Sequence, residues 1–429
     1  MSSSTASPIP AAKVSEPFTP YEKFLVALIV FLNFTVILDF MILSPLGAML
    51  IPQLHITTGE FGEVVSGYAI AAGISGLLAA GFADRFDRKH LLLFFYVGFL
   101  IGTLLCALAT SYTFLLIARI VTGLFGGVIG SVGMAIVADM FALHRRGRVM
   151  GLIQTAFAGA QVLGLPIGLY LANHFGWHSG FYFIVAVGAV VAVVIAVFLR
   201  PINMHLSGGP KRHPVEHLWL TATNRHYLVG FLANILLATG GFMLMPFATT
   251  FSVNNLGISF AQLPVIYMIT GCSTVITGPL LGKLSDAVGK YRLFLAASVV
   301  GIGVVLFYTR LGVTPLWEVV VINTVLFSTI SGRMISAAAL MSAVPEMTDR
   351  GAYMSIGNSM AQLAGGVASW VAGKVVVQSP AGPLEHYPTL GIIVASAMVV
   401  SAAMVYQVHR LVRDKQPKPT APAVPVSTS

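Results

Sequence analysis

The chain has 429 residues, of which 56% are hydrophobic and only 9% charged, with a formal net charge of +9. A soluble enzyme would carry roughly 25% charged residues, so this composition excludes one and describes an integral membrane protein. The basic residues are spread over many loops, whereas a nucleic-acid binder would gather them on one water-facing domain.

Residues 1–20 are rich in Ser, Ala and Pro and have no apolar core ahead of a cleavage site, so they read as a disordered tail. Twelve apolar stretches follow, each long enough to cross about 30 Å of hydrocarbon at about 1.5 Å per helical residue. The first six cover residues 24–46, 64–83, 90–109, 113–138, 149–172 and 180–199. The second six cover 227–249, 260–284, 293–308, 316–342, 352–377 and 389–409. Between them, 201–224 contains Gly208, Gly209, Pro210 and Pro214 and reads as a linker joining a first half, 21–200, to a second, 225–411. Residues 412–429, rich in Pro and Thr, read as a second disordered tail. The two cysteines, Cys106 and Cys272, fall inside spans and suggest neither a disulfide nor a metal site.

Cytoplasmic loops carry the excess of lysine and arginine. Arg85, Arg88 and Lys89 lie between spans two and three, and Arg145, Arg146 and Arg148 between spans four and five. Lys283, Lys290 and Arg292 lie between spans eight and nine, while the other side holds only Arg310 and Lys374. This places both termini in the cytoplasm and makes the net charge a topology signal.

The halves share a plan. The segment AGFADRFDRK at 80–89 is echoed by GKLSDAVGKYR at 282–292, each joining the second span of its half to the third. Arg146, Gly147 and Met150 are likewise echoed by Arg350, Gly351 and Met354. Parallel six-span repeats with a solute site between them at mid-membrane are one transporter plan.

These motifs resemble those of the major facilitator superfamily. Gly282, Asp286, Gly289 and Lys290 match its loop signature, with Ala287 in a basic position; the first copy keeps Asp84, Arg85 and Arg88 but has Ala80 and Asp87 where the family has glycines. Arg119, Gly123 and Gly127 resemble the arginine-glycine motif of its proton-coupled members. Gly159, Gly164, Pro166 and Gly168, followed by Gly176 and Trp177, are similar to the motif of the drug/proton antiporter branch, with Gly-Leu-Pro for the usual Gly-Pro. The resemblance implies an all-α membrane protein of twelve transmembrane helices, in two six-helix bundles related by pseudo-two-fold symmetry. It further implies a bacterial inner-membrane carrier, expected to be a monomer, that exports small molecules against protons.

Asp39 and Arg119 are charges inside apolar spans, which cost a few kcal/mol or more and mark solute or proton paths. Asp39 lies about 24 Å from the inner surface and Arg119 about 10 Å from the outer, by helix rise, so across the membrane their heights agree and they can pair. Burial favours a neutral carboxyl and an adjacent guanidinium favours a carboxylate, so such a pair can exchange a proton when it separates. The other reading is a permanent neutralising pair that orients helices.

Asp84 with Arg88, and Asp139 at the end of the fourth span, can form a cytoplasmic gate with Arg85, repeated by Asp286 and Lys290; the alternative is that these charges only set topology. Arg333 either binds an anionic group or reaches to the inner surface along its stem. Polar and aromatic candidates for a central solute site are Asn33, Gln154, Gln161, Asn234, Phe242, Tyr267, Asn323, Asn358 and Gln362. The glycines from Gly123 to Gly133 superficially resemble a phosphate loop, but at this spacing in a span they serve close helix packing. Nothing calls for a cofactor, and there is no ATP-binding motif of a primary pump. The expectation is a proton-coupled exporter of small amphipathic molecules. The alternatives are a carrier of sugars, nucleosides or organic anions, with Arg333 holding the anion, and a membrane receptor that uses the fold without transport.

Overall fold

The computed structural model describes residues 17–203, 214–346, 349–379 and 382–415. The tail readings for 1–16 and 416–429, and the linker from 204 to 213, lie outside the described residues.

Helix α1 (Pro20–Gln53) starts at a capping box, in which Thr19 Oγ1 accepts from the Glu22 amide and the Glu22 carboxylate accepts from the Thr19 amide. Thr57 and Glu60 start α2 (Thr58–Phe82) the same way. Helices α3 (Arg88–Ala107) and α4 (Tyr112–Met140) follow. The fifth span has two pieces, α5 (Leu143–Gly159) and α6 (Leu165–Phe175), joined without a break by a π-helical turn, Ala160–Gly164. After α7 (His178–Phe198) comes the short α8 (Pro214–Thr223), and then the second half. It consists of α9 (Arg225–Asn254), α10 (Leu263–Val288), α11 (Lys290–Tyr308), α12 (Leu316–Met341), α13 (Arg350–Val375) and α14 (Tyr387–Lys415). Strands β1 (Val377–Gln378) and β2 (Leu384–Glu385) make a small antiparallel hairpin before α14.

Among the described residues eleven helical stretches are long and apolar enough to cross a membrane. The twelfth expected span is α13, whose Asn358, Gln362, serines and glycines dilute its apolar residues. The linker, read from sequence as loop, contains α8. Order also starts before residue 20: Phe18 is buried against Phe141 at 6.0 Å and beneath the Arg148 guanidinium at 4.5 Å, an apolar anchor within a polar stretch. At the other terminus α14 runs past residue 411 to Lys415.

The end of the bundle where α1 begins, and where Arg85, Arg88, Arg145 and Arg146 lie, is here termed the basic end. At the opposite end the two halves share one hydrophobic core, with Leu46, Phe61 and Phe181 of the first half packed with Phe247, Phe251 and Tyr387 of the second. Toward the basic end that core divides. One cluster, around Leu32, Phe99 and Ile136, belongs to the first half, and another, around Phe231, Phe294 and Tyr353, to the second.

The opposite end is closed by three seams. Helices α2 and α13 pack so closely that a Cβ added at Gly62 would lie 2.9 Å from the Ser369 carbonyl oxygen and 3.0 Å from the Gly373 Cα. Thr58 Oγ1 donates across this seam to the Val376 carbonyl at 2.6 Å. Between α1 and α9, the Phe40 and Phe242 rings meet at 5.3 Å and Ser44 Oγ donates to the Met245 carbonyl. The third seam joins the fifth span to α10, where Asn173 Nδ2 donates to the Phe260 carbonyl at 3.0 Å and Gly271 abuts the backbone of Gln161 and Val162. Toward the basic end, α10 leaves Leu280, Lys283, Leu284 and Val288 exposed. The bundle is thus sealed at the opposite end, while toward the basic end α10 stands exposed and the α2–α13 contact continues through Gly76 and Ser359.

Candidate functional site

Helices α1 to α4 converge on a polar point inside an apolar wall. Arg119 Nη1 donates to Asp39 Oδ2 at 2.7 Å, with both side chains at most 1% exposed. Thr103 Oγ1 of α3 donates to the other carboxylate oxygen, Oδ1, at 3.1 Å. The Arg119 guanidinium lies 4.3 Å above the ring of Tyr68 on α2. Arg119 Nε has no partner among the described residues. Removing either charge would strand the other in low dielectric, a cost of roughly 3–5 kcal/mol.

This pair adjoins the seam between the halves through aromatic contacts. Tyr68 packs on Phe40 at 5.7 Å, and Phe40 on Phe242 of the second half at 5.3 Å. Phe40 and Phe242 also line a small cleft with Ser44, Val65, Met245 and Ser369. Asp39 and the cleft-lining Phe40 are consecutive residues, so a change at the ion pair is felt at the cleft through one backbone step and through Tyr68.

At the basic end, Arg88 is 4% exposed and donates from Nε to Asp139 Oδ2 at 3.0 Å and from Nη1 to the Ala83 carbonyl at 2.9 Å. This joins the loop after α2 to the end of α4 through Asp139. The side chain of Asp84 lies outside the described residues, and Arg85 is exposed. Asp87, which replaces a family glycine, caps α3 by accepting from the Lys89 and His90 amides. The second-half copy differs: among the described residues Asp286 and Lys290 meet each other at 3.6 Å, 77% and 41% exposed. They form a solvated pair between the end of α10 and the start of α11, and no carboxylate equivalent to Asp139 stands at the end of α12, where Ala343 occupies the repeat position.

The remaining candidates separate by what their polar atoms do. Asn33 donates to the Ile29 carbonyl, Asn323 to Val319 and Asn234 to Gly357, at 2.9, 2.9 and 2.8 Å. Tyr267 shares a 2.6 Å hydrogen bond with Thr249. These groups tie helices to themselves or to neighbours. Gln154 and Asn358 are exposed. Arg333 turns onto the face of Phe294 at 5.4 Å, inside the second half, rather than toward Phe40 and Phe242. Gln161 and Gln362 each bury an Oε1 that has no donor among the described residues. The glycines of α4 do serve packing, as expected: Gly123 and Gly127 lie against the α2 backbone at Tyr68 and Ala72.

Sequence reasoning passed over Tyr68 and Thr103, since an aromatic or a threonine in an apolar span gives no signal until its neighbour is known. It also passed over Glu63, whose carboxylate accepts from Tyr112 Oη at 2.5 Å and pairs with Lys374 of the second half at 3.5 Å. With Lys374 also 5.8 Å over the Trp370 ring, this makes a polar clasp at the rim of the sealed end.

Among the described residues, twelve long helical spans with a neutralised charge pair beside a seam between two halves describe a multi-pass membrane protein. The sequence profile of the Major Facilitator Superfamily matches residues 29–369 and 230–426, so the chain belongs to that family. It is 27% identical to the uncharacterized MFS-type transporter YceJ of Bacillus subtilis (strain 168) over 262 residues, 60% of this chain and 66% of that one. It is 26% identical to the uncharacterized MFS-type transporter YtbD of the same strain over 343 residues, 76% of this chain and 85% of that one. In fold it is similar to a bacterial homolog of the human lysosomal transporter Spinster in an inward-facing, unoccupied conformation, with TM-score 0.71, 15% identity, and 94% and 100% of the two chains covered. A point-mutant form of the nucleoside transporter NupG gives TM-score 0.71 at 16% identity over 91% and 99%.

Proposed function

We propose that the protein is a proton-coupled secondary transporter that exports small amphipathic molecules by alternating access. The observation that carries this reading is the Asp39–Arg119 pair, at most 1% exposed, 2.7 Å apart and one residue from a cleft wall shared by both halves. A permanent structural pair would serve equally well anywhere in the bundle. This one stands beside the seam that must open for solute to pass, so protonating Asp39 frees Arg119 and loosens the Tyr68–Phe40 wall.

The basic end is the cytoplasmic one, by the excess of lysine and arginine, with both termini on that side of a bacterial inner membrane. The divided core and the exposed face of α10 correspond to a state open to the cytoplasm. The Arg88–Asp139 pair, already formed at 3.0 Å here, lies within the first half and braces its cytoplasmic end while the halves move. The halves 21–200 and 225–411 move as the two rocking units about the linker 201–224, in a monomer. The direction of transport is supported by the antiporter-like residues Gly164, Pro166 and Gly168 beside the π-helical turn.

The experiment is substrate-driven proton movement in proteoliposomes carrying an internal pH dye, for the wild type and Asp39→Asn. Cationic amphiphiles, sugars and organic anions are each added in turn. Proton movement with amphiphiles that disappears in the variant supports the reading. Solute flux without protons in both proteins makes Asp39 structural and the protein a uniporter, and absence of flux with all compounds favours a receptor.

A further inference from the structure

Helix α7 packs on α1, α3 and α6, all of the first half. Its remaining face carries Val190, Val193 and Val197, exposed at the i, i+3, i+7 spacing of one helix face. In a membrane this stripe meets lipid, and it ends at the basic end beside the exposed Phe198 and Arg200.

Three segments meet at that point. Lys89, in the first turn of α3, donates from Nζ to the Ala196 carbonyl at 2.9 Å, in the last turn of α7. A helix leaves its last carbonyls unpaired and its C-terminus draws cations, so this contact caps α7. It uses one of three ammonium donors. The Arg88 amide donates to the Ile202 carbonyl at 3.1 Å, which lays residues 196–202 along the start of α3 and brackets Arg200 between two contacts with it. The Arg200 amide donates to Tyr21 Oη at 3.1 Å, and its guanidinium lies over the Tyr21 ring at 4.8 Å. Tyr21 packs on Phe24 at 5.9 Å and Phe24 on Phe198 at 6.5 Å, so rings from α1 and α7 support the cation.

Among the described residues no ion pair neutralises Lys89 or Arg200. The carboxylates nearest in sequence are occupied. Glu22 accepts from Arg145 at 2.8 and 3.0 Å, and Asp87 accepts from the Lys89 and His90 amides and pairs with the His90 imidazole at 3.3 Å. Two other arginines of this end are engaged, Arg88 by Asp139 and Arg146 by the Phe141 and Ala138 carbonyls. A guanidinium laid flat on a ring keeps its N–H edge free for the fork that matches a phosphate, and the ammonium adds a movable point charge.

We infer that Lys89 and Arg200, at the corner of α1, α3 and α7, bind the phosphate of an anionic phospholipid in the leaflet at the basic end, with its acyl chains along Val197, Val193 and Val190. The occupant is a lipid because the cations stand at the end of an apolar stripe continuous with the bilayer, of which a free phosphate would make no use. Two cations without a carboxylate favour an anionic headgroup over a zwitterionic one. The site adjoins the stretch that leads from α7 into the linker, so a lipid held here ties the edge of the first half to the leaflet where the chain leaves for the second. The inference does not depend on the transport reading.

The test is native mass spectrometry of the full-length protein released from detergent, titrated with phosphatidylglycerol and phosphatidylcholine of matched acyl chains. The wild type is expected to bind its first phosphatidylglycerol about 30-fold more tightly than phosphatidylcholine, from roughly fivefold per cation near a membrane surface. Lys89→Gln with Arg200→Gln binds the two lipids alike and unfolds at the wild-type temperature. Arg200→Gln alone, at an exposed position, puts folding at less risk and leaves a preference of about fivefold. Arg410→Gln with Arg413→Gln removes two exposed cations of α14 at the same end and keeps the full preference. Excess soluble glycerol 3-phosphate does not displace phosphatidylglycerol.

Equal affinity of the wild type for the two lipids, an undiminished preference in the Lys89 and Arg200 variants, or the same loss in the Arg410 and Arg413 variant overturns the inference. Displacement by glycerol 3-phosphate also overturns it, since the site would then be one for free phosphate. The assay has neither gradient nor transported solute, so its outcome and that of the proteoliposome experiment stand apart.

Discussion

The guanidinium of Arg119 is held between two unlike partners, the Asp39 carboxylate at 2.7 Å and the face of Tyr68 at 4.3 Å. The first contact depends on a proton and the second does not. When Asp39 is neutral only the ring remains of these two partners, and as the weaker restraint it yields when Arg119 moves.

Truncating one member of the pair is expected to cost far more than removing both. Asp39→Ala leaves Arg119 buried and uncompensated and lowers stability by roughly 3–5 kcal/mol, whereas Asp39→Leu with Arg119→Met approaches neutrality. Thermal unfolding of the detergent-solubilised protein measures both. The double variant stays folded and moves no protons, which separates coupling from architecture. A double variant as unstable as Asp39→Ala would show that the cost lies in packing rather than charge.

Tyr68→Phe keeps the face beneath Arg119 and is expected to leave stability within about 0.5 kcal/mol of wild type. Tyr68→Leu removes the face and costs about 2 kcal/mol from the desolvated cation–π contact alone. The same thermal assay resolves the two. Equal effects of Phe and Leu would assign the role to the hydroxyl.

The α2–α13 seam tolerates no side chain at Gly62, where an added Cβ meets backbone at 2.9 and 3.0 Å. Gly62→Val is expected to pry the sealed end apart and shift the population toward states open on that side. A cysteine placed at Thr58, beside its Val376 partner, then reacts faster with a membrane-impermeant thiol reagent added from that side. Gly303→Val, at a position with nothing within 4 Å, serves as the control and changes nothing. Unchanged reactivity in Gly62→Val would mean that the seam yields without opening.

The Glu63–Lys374 contact is expected to matter little to stability. At 3.5 Å, with side chains 34% and 57% exposed, it is a surface ion pair worth at most about 1 kcal/mol. Lys374→Gln should unfold at nearly the wild-type temperature in low and high salt, and a large salt-dependent loss would contradict this. By contrast Arg88→Gln removes a side chain only 4% exposed from Asp139 and the Ala83 carbonyl. It should cost about 2 kcal/mol as a lost charge-assisted contact, visible in the same melts.

The sequence by itself determined the membrane class, the twelve spans and the repeat, because hydrocarbon thickness, backbone satisfaction and loop charge leave few alternatives. It also placed Asp39 and Arg119 at one depth, since helix rise converts residue counts into heights. Heights do not give azimuth, however, and the side chain a residue meets is set by azimuth. That is why Tyr68 and Thr103 were invisible, why Arg333 could be read either as holding an anion or as reaching the inner surface while its place over Phe294 went unseen, and why Asp286 seemed a twin of the first-half gate. The same limit applies to the amides: composition cannot separate an asparagine spent on a carbonyl one turn away from a glutamine with a free acceptor. Only the tertiary structure decided which polar atoms are satisfied, because satisfaction is a property of neighbours brought together across seams between helices distant in sequence.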